Sequence, residues 1–88
     1  MGRLQVRPGV LLEPLGAVWA CFSPANGQTL LLNTEAAAFL EVLLEMPRSI
    51  AEIDAVMSAD GGVPLGSITS ILEDTAVDLE ATGLILSE

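Results

Sequence analysis

The stretch "TLLLNTEAAAFLEVLL", residues 29 to 44, joins two periodicities with no linker between them. Leu30-Leu31-Leu32 is an apolar run of strand length. Asn33-Thr34-Glu35 is a helix-start signal: Asn33 or Thr34 offers a side-chain oxygen to the free N–H groups of a first turn, and Glu35 suits the positive end of the helix dipole. Beyond it, Ala36, Phe39 or Leu40, Leu43 and Leu44 recur at helical spacing, with Glu41 and Glu45 on the other side. A strand that turns straight into a helix leaves little room for an active-site loop. What the junction is for decides how the chain is read.

Working back from it, "QTLLLN", residues 28 to 33, and "AVWACFS", residues 17 to 23, are strand candidates flanking "PANG". Asn26-Gly27 is a hairpin signal because both residues tolerate positive φ, so the two strands are expected to pair antiparallel. "GVLLEP", closed by Pro14, is a third strand. Residues 1–9, ending in Arg7-Pro8-Gly9, read as a lead-in arm. Working forward, Pro47 closes the first helix. Ser49 caps a second, with Glu52 three residues later as in a capping box and an apolar stripe at Ile50, Ile53 and Val56 or Met57. "DGGVPLG", residues 60 to 66, is a connection. Ser67 opens a third helix with Ile68, Ile71, Leu72, Thr75 and Leu79 facing inward, and Gly83 stands where a C′ glycine belongs. "LILS" finishes as a short strand or apolar tail. The expected fold is α+β and winged-helix-like: a three-stranded antiparallel sheet followed by three helices, in a single domain over residues 10–88.

Composition narrows the function. The 88 residues are 51% hydrophobic and 17% charged, with a mean hydropathy of +0.60; ordinary globular chains are about 25% charged. So short a chain has too little interior for that much apolar surface, which points to an exposed apolar strip serving a partner or self-association. Twelve carboxylates face three arginines, a net charge of −9. That excludes nucleic acid and disfavours an anionic membrane surface. A third helix in a winged-helix arrangement would be the DNA-reading element, yet positions 67 to 82 carry four acids and no base.

Catalysis is poorly supplied. Histidine, lysine and tyrosine are absent, which removes the usual general bases and amine nucleophiles. The lone thiol, Cys21, alternates with Ala20 and Phe22 in a strand and reads as a half-buried structural cysteine that fits a reducing compartment. Zinc would lack ligands and no calcium-loop spacing occurs, so neither a metal nor a cofactor is expected. Glu13-Pro14 interrupts the apolar N-terminal stretch, against a signal peptide. No apolar run reaches the roughly 18 residues of a spanning helix. The expected location is cytoplasmic. Ser67 in "LGSI" superficially matches the modified serine of an acyl carrier protein, but the Asp-Ser-Leu context is missing and a helix N-cap is the simpler reading.

"LLLNTEAAAFLEVLLEMPRSIAEI" together with "ILEDTAVDLEATGLI" resembles the PqqD-like family of peptide chaperones, the recognition elements of pathways that modify ribosomally made peptides. The features that carry the resemblance are Leu32-Asn33, Ala36-Ala37, Ser49 with Glu52-Ile53, and Leu79 through Gly83-Leu84-Ile85, in that order over roughly residues 10 to 86. "VWACFSP" in the hairpin looks most like the branch found beside a kinase-like protein related to HPr kinase, the HPr-kinase-related A system. The resemblance implies a non-catalytic protein that captures the leader of a precursor peptide as an added strand and presents it to a modifying enzyme or kinase-like partner. Carried onto this chain, the docking edge is Thr29, Leu30, Leu31, Leu32 and Asn33. The helix wall is Ile71, Asp74, Thr75, Val77 and Asp78, with Asp74 and Asp78 on one helix face and able to select a basic residue. The alternative from the same composition is a structural or regulatory subunit whose apolar surface makes a permanent protein contact or a homodimer.

Overall fold

The computed structural model describes residues 2–61 and 64–87, in the order β1 (Leu4–Val6), β2 (Leu11–Leu15), β3 (Val18–Ser23), β4 (Gln28–Leu32), α1 (Thr34–Glu45), α2 (Ile50–Gly61), α3 (Thr69–Ala81) and β5 (Ile85–Ser87). β2, β3 and β4 form an antiparallel sheet in that order, and β1 pairs antiparallel with β5 in a second, two-stranded one. The fold is α+β, with the expected three-stranded sheet and three helices.

Alternation divides the larger sheet into two faces. Cys21 lies between Leu12 and Leu30, and Trp19 between Pro14 and Leu32, on the side that meets the helices. Cys21 is fully buried rather than half-buried, and burial pushes its thiol pKa up. The opposite face carries Leu11, Leu15, Val18, Phe22 and Leu31, all exposed. Phe39, Leu40, Ile53, Leu84 and Ile85 fill the centre of the core.

Several local expectations change in the folded chain. The segment read as an arm is more than that: β1 lies against β5, and Leu4 and Arg48 exchange backbone hydrogen bonds of 2.7 and 3.0 Å. A three-residue strand whose partner lies at the other end of the chain leaves no local signal. β2 continues through Pro14 to Leu15. It is an edge strand, where a missing N–H is tolerated. In the β3–β4 turn Gly27 alone has positive φ, at 70°, and Asn26 instead accepts a hydrogen bond from the Gln28 N–H at 3.1 Å. α3 begins at Thr69 with Ile68 at its N-cap, not Ser67, whose hydroxyl donates to the Pro64 carbonyl at 2.7 Å. Its buried residues are Leu72, Ala76 and Leu79, while Ile71, expected inside, is 58% exposed.

The remaining caps follow the sequence closely. The Asn33 side chain accepts from the Ala36 N–H at 2.8 Å. Ser49 and Glu52 form a reciprocal capping box, with the Ser49 N–H donating to Glu52 Oε1 at 2.9 Å and the Glu52 N–H to Ser49 Oγ at 3.2 Å. These bonds from Ser49, with Arg3 and Arg48 nearby, hold the Glu52 carboxyl below its ordinary value. At the end of α3, the Leu84 N–H reaches the Leu79 carbonyl at 3.0 Å and the Gly83 N–H that of Glu80 at 3.1 Å. With Gly83 at φ +79° this is a Schellman closure.

Candidate functional site: a strand edge beside a helix wall

β4 is the last strand of its sheet, so the backbone groups on its outer side have no strand partner among the described residues. Leu30 and Leu32 are half-buried against the core, whereas Leu31 is 68% exposed. Directly after Leu32 the chain enters α1. Because the Asn33 side chain is spent on the helix cap, the angle between strand and helix is held by a hydrogen bond.

Facing this edge is α3. Ile71, Thr75, Asp78 and Thr82 are spaced by four, three and four residues, which places them in one stripe. Between the stripe and the β4–α1 junction lies a groove of about 390 Å³, walled by Leu31, Leu32, Asn33, Glu35 and Ala36 on one side and by the stripe and Leu79 on the other. The hydroxyls of Thr75 and Thr82 donate to the Ile71 and Leu79 carbonyls, both at 2.9 Å. Their methyl groups and the acceptor side of each hydroxyl are what remains for a ligand.

Two contacts set the distance between the walls. The buried Ser23 hydroxyl donates to the Thr82 carbonyl at 3.3 Å, tying the end of β3 to the end of α3. Gly83 packs so closely on the turn that a Cβ there would lie 3.0 Å from the Ala25 Cβ. The sequence showed Gly83 as a helix terminator; its second role, as a spacer against the hairpin, depends on a partner 58 positions away.

Of the ten residues named from the sequence, the groove brings together Leu31, Leu32, Asn33, Ile71, Thr75 and Asp78. Leu30 packs inward and Thr29 lies nearer the turn; neither lines it. Asp74 sits one turn before Asp78, outside the lining, and Val77, 59% exposed, is turned about 100° from Asp78 around the helix. Glu35, Ala36, Leu79 and Thr82 line the groove without having been singled out. The signal for Thr82 was present, since it continues the 71–75–78 spacing. Glu35 was read for the helix dipole alone.

The groove is acidic and apolar. Among the described residues the ion pairs are Arg3–Glu52 and Arg48–Glu45, so the carboxylates of Glu35, Asp74 and Asp78 have no cation beside them. No group of three or more His, Cys, Asp or Glu suited to a metal occurs among the described residues. One acid the sequence reading passed over is structural: Asp54, buried in α2, accepts from Thr69 Oγ1 at 2.7 Å, the Gly66 N–H at 3.0 Å and Ser58 Oγ at 3.2 Å, and so holds the approach to α3. No described helix is long and apolar enough to cross a membrane.

No family model matches the sequence, and no curated protein matches it. Among solved structures, the chain is similar to TbiB1, determined in complex with the TbiA(beta) leader peptide, with a TM-score of 0.76 over 96% of each chain and 15% sequence identity. At that identity the likeness is one of fold.

Proposed function

We propose that this protein is a non-catalytic peptide-binding module, which captures the leader of a ribosomally made precursor peptide and delivers it to a modifying enzyme. The peptide adds to β4 as a further strand, its main chain bonding to the open edge and its alternate side chains entering the groove against α3. The single observation that carries this reading is the unpaired β4 edge set beside a helix wall. The fold shared over nearly the whole chain with a protein solved on a leader peptide supports it, as does the PqqD-like resemblance of the junction. A composition without histidine, lysine or tyrosine agrees with a binding role.

The test is an NMR titration of the labelled protein with peptides encoded beside its gene. Shifts concentrated in residues 28–36 and 71–82 are expected. Saturable binding that leaves those segments unmoved would sink the strand-addition reading.

A second reading is favoured by the outer face of the sheet, where Leu11, Leu15, Val18 and Phe22 are exposed together. In it, this face makes a permanent contact with another protein or a second copy. Sedimentation separates the two: a homodimer that persists on dilution and ignores peptides belongs to the second reading.

A further inference from the structure

The groove does not end at the β4–α1 junction. Glu35, Ile71 and Thr75 also wall a second cavity of about 500 Å³, which opens between α1, α2 and α3 and is floored by Val42, Met57, Ile68 and Leu72. Ile71 is the divide between the two spaces, which accounts for its exposure on the side of α3 next to the core. Resting on the strand-addition reading, we infer that the ligand is a two-part peptide: an extended segment on β4 and, immediately N-terminal to it, a large apolar side chain seated in this second cavity.

Direction follows from the sheet. Every pairing in β2–β3–β4 is antiparallel, and a strand added to β4 in the same sense runs from the Leu32 end toward Gln28. The residues that precede it therefore pass over Asn33–Glu35, where Thr34 and Glu35 form the mouth of the second cavity. α3 runs the same way as the added strand, from Ile71 beside that mouth to Thr82 beside the hairpin, so one helix lines the whole path. Chemistry selects the side chain. The floor is aliphatic and thioether, and the charged groups on the lining, Glu35 and Asp60, are both acids. An acidic anchor is repelled and a small one leaves the floor wet, whereas a leucine, phenylalanine or tryptophan covers it.

The experiment is selection of displayed random peptides, long enough to pair with all of β4 and continue past it, against the full chain. Recovered peptides are then synthesised with and without their N-terminal part. The expected result is a large apolar residue just N-terminal to the extended segment, whose change to alanine weakens binding about tenfold or more. Amide shifts at Met57 and Ile68 should disappear with it. Met57→Glu should reproduce that loss and add nothing to it; because Met57 touches the core, the truncated peptide is the control that needs no variant protein. Peptides that shift β4 but leave Met57 and Ile68 unmoved, or whose apolar anchor lies on the C-terminal side, overturn the inference and leave strand addition standing. Recovery of no peptide overturns both. Shifts of the cavity residues on dilution without peptide would assign the cavity to a second copy and overturn the inference as well.

Discussion

The sheet has two edges, and the chain treats them differently. β2 contains Glu13 and Pro14 within its five residues, the charge and the missing donor by which natural proteins keep an edge from recruiting another strand. β4, of the same length, contains neither: it reads QTLLL, and its neighbour in space is the α3 wall. Both strands are solvent-facing and both pair with β3, so the contrast cannot come from position in the sheet. It indicates that one edge is closed to strangers while the other is kept open beside a shaped surface. An open apolar edge carries an aggregation risk, and the proposed strand addition would give that edge a use.

The comparison breaks most sharply if β4 is made to resemble β2. Leu31→Pro removes an N–H and stiffens the strand, at a cost of up to about 3 kcal/mol, that of a backbone partner left unpaired, if the edge carries binding. That is up to about a hundredfold in peptide affinity, read by calorimetry, with circular dichroism to show that the helices persist. Unchanged affinity would end the role of β4.

Next in size is the spacing between edge and wall. Gly83→Ala combines a positive φ with a 3.0 Å approach to Ala25 and should cost about 1–3 kcal/mol of stability in a denaturant titration. Peptide binding should weaken with it, because the two groove walls move apart. Stability at the parent level would show that the hairpin yields freely.

Opening the closed edge sharpens the contrast in the other direction. Glu13→Thr with Pro14→Val should give concentration-dependent association by sedimentation, yet no second peptide site in calorimetry, since the α3 wall lies at the opposite edge, beside β4. A second site would mean that an open edge suffices and the α3 wall is incidental.

The smallest effect concerns a region remote from both edges. The Glu52 carboxylate has its pKa lowered in the folded chain, so its contribution to stability is fully present above the ordinary value of 4.5 and is lost as pH falls through the lowered folded value. Glu52→Gln should therefore be slightly less stable than the parent at neutral pH and converge with it in acid, with peptide affinity unchanged. A difference that persists in strong acid would point to the hydrogen bonds rather than the charge.

Local chemistry made much of this legible in advance. The capping box at Ser49 and Glu52, the Asn33 cap, the terminator Gly83 and the β3–β4 hairpin each depend on residues within a few positions, and each formed where the sequence placed it. The start of α3 was read one residue early because Ser67 is a good cap by composition, while the buried Asp54, twelve or more positions away, draws Gly66 and Thr69 into a different arrangement. Ile71 and Val77 illustrate the same limit within the site. Helical periodicity gives their relative angles but not the direction in which the core lies.

Taken alone, the sequence determined the types and order of the elements from β2 to α3, the acidic surplus and the absence of histidine, lysine and tyrosine, because these depend on composition and on interactions spanning one or two turns. Only the tertiary structure decided that β1 closes on β5, that Ser23 and Ala25 meet the end of α3, and that Glu35 and Thr82 share a groove. Those contacts join residues some 47 to 83 positions apart. Their partners are chosen by how the layers pack, and no local pattern encodes that choice.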